Sequence, residues 1–385
     1  MSSTLPQQAF WDSSRKWLIP QTTWTLEGHS RAMERTGFLM TCDGGRVMLD
    51  GGVVFGSPEA QAPQALCITH GHIDHANALP MLLRHTLADG AGPMHILAPR
   101  DILPRLVDFG QLSWAIKVSV GQPLPPVYAP SPEPFVKALM EVGGGTPVVG
   151  PSYKAATTPP GTLKAWVPMD DASMFPLTVG RKAALGKGPV IHIQSMALDH
   201  GTPTVGYLFS FAKQTLKECL KVVGPGGGLD KRATGEAVKK ARVAGEDVYE
   251  ELEVCALAFL CDTRSSIFWD PAKRSILEAY STIMVECTYL HSCMDEIDFE
   301  AEAEARGHVC WCGPKGLAKV VKGWQVRPNT TTWVLMHFSL RHSDKDVVDF
   351  FSDSTLCGMD LEATTDPNPL LVLWLDTGLV CLNEK

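Results

Sequence analysis

The chain has 385 residues, is 45% hydrophobic and 20% charged, and carries a formal net charge of −8 at pH 7. That length suits one large domain or two ordinary ones, with ample apolar content for a core. The charge excludes a protein coated in basic residues, so a nucleic-acid substrate would have to meet a local basic patch. The eleven cysteines form no regular framework and Met1 to Pro20 has no signal-peptide pattern. Together these imply reduced thiols in an intracellular protein, cytoplasmic or nuclear, with an organelle left open. No apolar run approaches the roughly 20 residues that span a bilayer, so no membrane partner is expected.

Trp24 to Gly52 reads as a hairpin region. Thr36 to Thr41 is strand-like, Asp43-Gly44-Gly45 is a turn signal, Arg46 to Leu49 is the return strand, and Asp50-Gly51-Gly52 closes it. The polar run Gly28-His29-Ser30-Arg31 with Glu34-Arg35-Thr36 is expected to be a solvated turn. Ala65-Leu66-Cys67-Ile68 is a short buried strand, and Leu79, Leu82, Leu83 and Leu87 lie at helical spacing from Ala76 onward. Between them stands Thr69-His70-Gly71-His72-Ile73-Asp74-His75, with three imidazoles and one carboxylate. Residues two apart in an extended segment point the same way, so His70 and His72 can face one metal. As the chain turns into the helix, Asp74 and His75 face a second position, and a carboxylate suits a helix start.

His95 to Pro99 is a strand and Asp101 to Asp108 opens a helix. From Gly121 to Gly161 there are ten prolines and the run Gly143-Gly144-Gly145. That composition predicts a surface insertion, partly mobile, with one short helix at Pro134 to Val142. Strands follow at Val190 to Ser195, with His192 packed inside, and at Thr202 to Phe211; His200 ends the first of them. Lys213 to Arg242 holds eight Lys or Arg against three Asp or Glu, with a short helix at Gly235 to Ala241 carrying Lys239 and Lys240. Leu252 to Leu260 is a strand that ends in Cys261-Asp262. Thr282 to Val285 ends in Glu286, the acidic helix Asp298 to Gly307 delivers His308, and Thr332 to Met336 ends in His337. Asp346 to Phe350 begins the next helix. The repeated order is strand, then Asp, Glu or His at its carboxyl end, then helix, and sites in α/β proteins gather at such strand ends. These motifs thread the whole chain without internal repeats, so residues 1–385 are expected to form a single domain.

The cluster His70-x-His72-x-Asp74-His75 resembles the metallo-β-lactamase superfamily. The resemblance implies an α/β fold, the four-layer αββα sandwich. It assigns His70, His72 and His200 to one zinc, Asp74, His75 and His337 to another, and Asp262 to a bridge between them. Finer motifs, Ala197-Leu-Asp-His200 with Gly206-Tyr207, Phe259-Leu-Cys-Asp-Thr263, Val285-Glu-Cys-Thr-Tyr289, Ala305-Arg-Gly-His308 and Met336-His-Phe-Ser-x-Arg341, look like the ribonuclease Z family, in the short form of plants and cyanobacteria. That resemblance implies a zinc-dependent endoribonuclease that removes the 3′ trailer of precursor tRNA and leaves a 3′-hydroxyl. It implies two Zn2+ per chain, with Mn2+ or Fe2+ as other occupants, and a homodimer. Asp74 would also take the water proton, His308 would protonate the leaving oxygen, and Glu286 would orient His308. Lys239, Lys240 and Arg242 of the basic segment, with Arg341, would contact substrate.

The chain departs from the family at Cys261, where glycine is usual, at His342, where a tyrosine follows the arginine, and at Cys310-Trp311-Cys312. It also has no obvious long flexible arm. Cys261 and Cys287 remain alternative soft metal ligands. The rival activities are hydrolysis of a small phosphodiester, a thioester or a lactone. A non-catalytic RNA-binding relative with a structural zinc site is disfavoured by the complete ligand set and His308.

Overall fold

The computed structural model describes residues 16–53, 63–82, 94–106, 109, 148–149, 164–180, 188–224, 227–290, 299–324, 331–359 and 371–382. Among them two eight-stranded sheets form. The first contains β1 (Lys16–Leu18), β2 (Thr25–Arg31), β3 (Arg35–Cys42), β4 (Gly45–Leu49), β5 (Ala65–Cys67), β6 (Met94–Pro99), β7 (Val148–Val149) and β8 (Lys164–Met169). The order is β1-β2-β3-β4-β5-β6-β8-β7. The second contains β9 (Met174–Thr178), β10 (Val190–Ala197), β11 (Val205–Leu216), β12 (Tyr249–Cys261), β13 (Thr282–Glu286), β14 (Thr332–Met336), β15 (Leu371–Trp374) and β16 (Leu379–Cys381). Its order is β16-β15-β14-β13-β12-β11-β10-β9.

The layering follows from the two-residue period of strands. In the first sheet Val47, Leu49, Cys67 and Leu97 point inward, where they meet Phe209, Phe259, Met284 and Val334 of the second. The alternate residues Met48, Leu66 and Ile96 point outward onto Leu79 and Leu82 of a short helical segment. Outward-facing Ala258, Ile283, Trp333 and Leu335 of the second sheet meet Phe268, Val321, Trp324 and Phe351 from its helices. Helix, sheet, sheet, helix is the four-layer arrangement expected. The strands β13, β14 and β15 are buried along their whole length and mostly apolar because both of their faces are covered.

The turn between β3 and β4 has two residues, Asp43 at φ 45° and Gly44 at φ 82°, as a two-residue hairpin with both central φ positive requires. Parallel pairing of β12 with β13 and of β13 with β14 brings their carboxyl ends to one edge of the sheet. The parallel trio β4, β5 and β6 does the same in the first sheet.

Several expectations need correction. The polar run from Gly28 to Thr36 is no solvated turn: it is the end of β2, a tight turn and the start of β3, with Ser30, Arg31 and Thr36 buried. The ladder of β2 against β3, in which His29 pairs with Gly37, overrides the polar composition. The expected long helix after Ala76 is two single turns, Ile73–Ala76 and Leu79–Leu82, and residues 83–87 lie outside those described. The basic helix is longer than expected, Lys231–Val243, because Asp230 caps its start by accepting from the backbone N–H groups of Arg232 and Ala233. Cys312 is disulfide-bonded, so the thiols are not all reduced. The helix expected at 134–142 also lies outside the described residues, as does most of 121–161; residues Val148–Val149 of that stretch pair with β8.

Candidate metal centre

Asp50, directly after β4, is buried with φ 58°. Its carboxylate accepts from the Thr69 backbone N–H at 2.7 Å and the Thr69 hydroxyl at 2.9 Å, and lies 2.9 Å from His75 Nδ1. His75 therefore donates from Nδ1 and turns Nε2 toward the site. The Thr69 hydroxyl proton goes to Asp50, so its oxygen accepts from His70 Nδ1 at 3.0 Å and leaves His70 Nε2 bare. His200, beyond the end of β10, donates from Nδ1 to the Gly307 carbonyl at 2.7 Å. Its Nε2 is thereby also turned inward. Metal-binding histidines are held in this way, with the other ring N–H given to a carboxylate, carbonyl or similar partner.

Two groups of ligand atoms result. In the first, His70 Nε2 lies 3.0 Å from His72 Nδ1, and His72 Nδ1 lies 3.4 Å from His200 Nε2. Asp262 Oδ2 is 3.8 Å from His70 Nε2 and 4.0 Å from His200 Nε2. In the second, Asp74 Oδ2 is 3.5 Å from both His75 Nε2 and His337 Nε2. Asp262 Oδ2 reaches this group too, 3.6 Å from His75 Nε2. Asp262 thus stands between both sets.

The residues fit divalent metal binding. His75 Nε2 and His337 Nε2 are buried with no hydrogen-bond partner, which costs stability unless something else satisfies them. Tetrahedral zinc with nitrogens at about 2.0–2.1 Å holds its ligands roughly 3.3 Å apart, close to the separations in the first group. Burial holds His70 below the ordinary histidine range, and partial desolvation beside the His200 ring lowers the exposed His72, so both present lone pairs near neutral pH. Burial alone would raise Asp74, yet the nearby rings of His337 and His75 keep it well below the usual carboxylate range.

The backbone is strained where these ligands are aimed. Cys261 has φ 46° and His337 φ 59°, conformations that favour glycine. The pairing of β12 with β13 shifts register between Phe259 and Cys261, a bulge that turns Asp262 into the site. Cys261 therefore adopts a backbone geometry that glycine takes more easily. Its sulfur lies 3.5 Å from His75 Nδ1, the nitrogen already given to Asp50, and burial pushes its thiol pKa up. Gly52 is obligatory for a different reason: a Cβ there would stand 1.8 Å from the Asp74 carbonyl oxygen.

His308 follows Gly307, which sits at φ 80° after the helix Phe299–Arg306. His308 Nδ1 is 2.9 Å from each oxygen of Glu286, the last residue of β13. Glu286 is fully buried and also accepts from the Thr263 N–H at 2.7 Å and from the Thr288 hydroxyl. Burial would lower the His308 pKa, but the charge and hydrogen bond of Glu286 lift it to about 9. The imidazole is thus charged near pH 7, with Nδ1 engaged.

These groups share one cleft of about 500 Å³, lined among others by His72, Asp74, Asp262, His308, His337 and Arg341. Lys239, Lys240 and Arg242 are not on it. They lie on the helix Lys231–Val243, in the connection between β11 and β12, whose residues 212–216 and 249–253 pair beyond the end of β10 as a two-stranded ribbon. Arg242 rests on the Tyr249 ring there.

Sequence reading missed Asp50 and Thr69. Asp50 was legible by the rule applied elsewhere, an acid directly after an apolar strand. Cys287 joins no ligand group among the described residues.

Residues 58–162 match the family described as the metallo-beta-lactamase superfamily. The chain is 25% identical over 329 residues to ribonuclease Z of Kineococcus radiotolerans, covering 82% of this chain and 81% of that one. Among solved structures it resembles the metallo-beta-lactamase fold protein YhfI of Bacillus subtilis, with a TM-score of 0.43, 12% identity and coverage of 85% and 91%. It also resembles the short form of human tRNase Z, with a TM-score of 0.38, 13% identity and coverage of 82% and 93%. The chain has the metallo-β-lactamase fold, and its sequence resembles ribonuclease Z.

Proposed function

We propose that this chain is a metal-dependent endoribonuclease of the ribonuclease Z type, which removes the 3′ trailer from precursor tRNA and leaves a 3′-hydroxyl. One observation carries this reading: two ligand groups joined by Asp262 open onto the same cleft as the His308–Glu286 pair. A small hydrolase needs the first feature; a phosphodiesterase that must discharge an alkoxide also gains from the second.

His70, His72 and His200 would hold one zinc ion and Asp74, His75 and His337 a second, with Asp262 shared and Mn2+ or Fe2+ as alternative occupants. When bound, the ions supply Lewis-acid stabilisation of phosphoryl charge and bring water toward a pKa of about 7. Asp74, fully ionised, accepts the proton of the attacking water. His308, charged near pH 7, donates its Nε2 proton to the leaving 3′-oxygen, a contribution on the order of 10²–10⁴-fold. Glu286 fixes the ring by holding Nδ1 and keeps it protonated. Arg341 neutralises phosphate at the cleft. Lys239, Lys240 and Arg242 hold the body of the tRNA, and in a homodimer the ribbon of one subunit serves the cleft of the other.

The test is a side-by-side assay of the zinc-loaded protein on a precursor tRNA with a 3′ trailer and on an acyl thioester. Cleavage of the precursor to a 3′-hydroxyl and a 5′-phosphorylated trailer supports the reading. Thioester hydrolysis without trailer cleavage overturns it.

A further inference from the structure

Three segments meet at the mouth of the cleft: the turn between β2 and β3, the helical turn Ile73–Ala76, and the loop after β14. Each places one large apolar side chain in solvent on the cleft wall. Met33 is 84% exposed, Ile73 72% and Leu340 54%. A single exposed apolar residue is ordinary. Three from separate segments around one polar cleft are not explained by packing, since none of them enters a core cluster of the described residues. Met33 is also held in place at a cost. Its φ is 62°, and its backbone N–H donates to Asp74 Oδ2 at 3.0 Å, so the tip of the turn is tied directly to a ligand residue. Arg306 and Arg341 stand on the same wall and are exposed.

We propose that Met33, Ile73 and Leu340 form an apolar clamp for unstacked nucleobases flanking the diester in the cleft, so that they set specificity for single-stranded substrate. This rests on the phosphodiesterase reading above. Arg341 matches the charge of a neighbouring phosphate, and Arg306 does so beside its 3.0 Å ion pair with Glu302. The apolar side chains match the apolar surface such a strand offers, the faces of its bases. Proteins that take a base out of its stack hold it against aromatic or apolar side chains, and Met, Ile and Leu serve as such wedges. A base inside a duplex already has its faces covered by its neighbours and presents nothing to the clamp.

The experiment compares two diesters with the same leaving group, thymidine 5′-(p-nitrophenyl phosphate) and methyl p-nitrophenyl phosphate. The zinc-loaded wild-type protein is measured beside the triple variant Met33→Ser, Ile73→Ser, Leu340→Ser. A second variant, Met33→Leu with Ile73→Leu, keeps the apolar character. The readout is the ratio of kcat/KM values, base-bearing over methyl. In the wild type the ratio favours the base. In the serine variant it falls by about tenfold, the effect of losing modest apolar contact, while the leucine variant retains it. A ratio unchanged in the serine variant, with both esters still cleaved, overturns the clamp and leaves the phosphodiesterase reading standing. A wild-type protein that cleaves neither ester overturns both.

Discussion

His200 donates its Nδ1 proton to the carbonyl oxygen of Gly307 at 2.7 Å, which bonds the residue before His308 to a ring of the first ligand group. The two functions proposed for the cleft, holding cations and supplying a proton, therefore share one backbone link. Gly307 makes the link possible, because at φ 80° a Cβ would lie 2.8 Å from His200 Nδ1.

Replacing Gly307 with alanine tests that link. Strain and the clash together predict a loss of about 1–3 kcal/mol in stability. The variant should show a lower Tm, reduced metal content and a turnover at least tenfold below wild type. Wild-type Tm and metal content would show that the contact yields freely.

His308 gives its Nδ1 to Glu286, although the ring also lies within one group of possible ligand atoms with Asp262, Glu286 and His337. The variant His308→Ala should keep the wild-type metal content and fold, while turnover on precursor tRNA drops by about 10²–10⁴-fold. Metal loss measured by elemental analysis would move His308 among the ligands.

The pH profile should report Glu286. As the proposed acid, His308 has its active form below its pKa, and that form is lost as pH rises through about 9. In Glu286→Gln the raising charge is gone, and the alkaline limb of kcat should move down toward the ordinary histidine value of 6.5. A limb that stays in place would mean that another group donates the proton.

Asp262 reaches both ligand groups, so its loss should affect both. Elemental analysis of mildly purified wild-type protein should give close to two zinc-like ions per chain, and Asp262→Ala should give fewer. An unchanged content would remove the bridging role.

An acidic protein that binds tRNA, as proposed, must do so through a local patch. Changing Lys239, Lys240 and Arg242 to alanine should weaken precursor binding and flatten the dependence of log affinity on log salt by roughly 0.7–0.9 per lost phosphate contact. Filter binding at several salt concentrations measures this. An unaltered slope would make the helix a solvated face.

Local sequence pattern was enough to pick out the candidate ligand types and the strands that deliver them. The strand Thr332–Met336 and the turn at Asp43-Gly44 stand where the local pattern put them, because periodicity and turn chemistry depend on near neighbours in the chain. The tertiary structure alone decided which nitrogen of each histidine faces the site. His200 is oriented by a carbonyl 107 residues away, and His75 by Asp50, 25 residues before it. It also turned the polar run from Gly28 to Thr36 into strand, since its pairing partners override its composition. Contacts between distant segments leave no periodic trace in the sequence, so the orientation of the site becomes visible only once both sheets are packed.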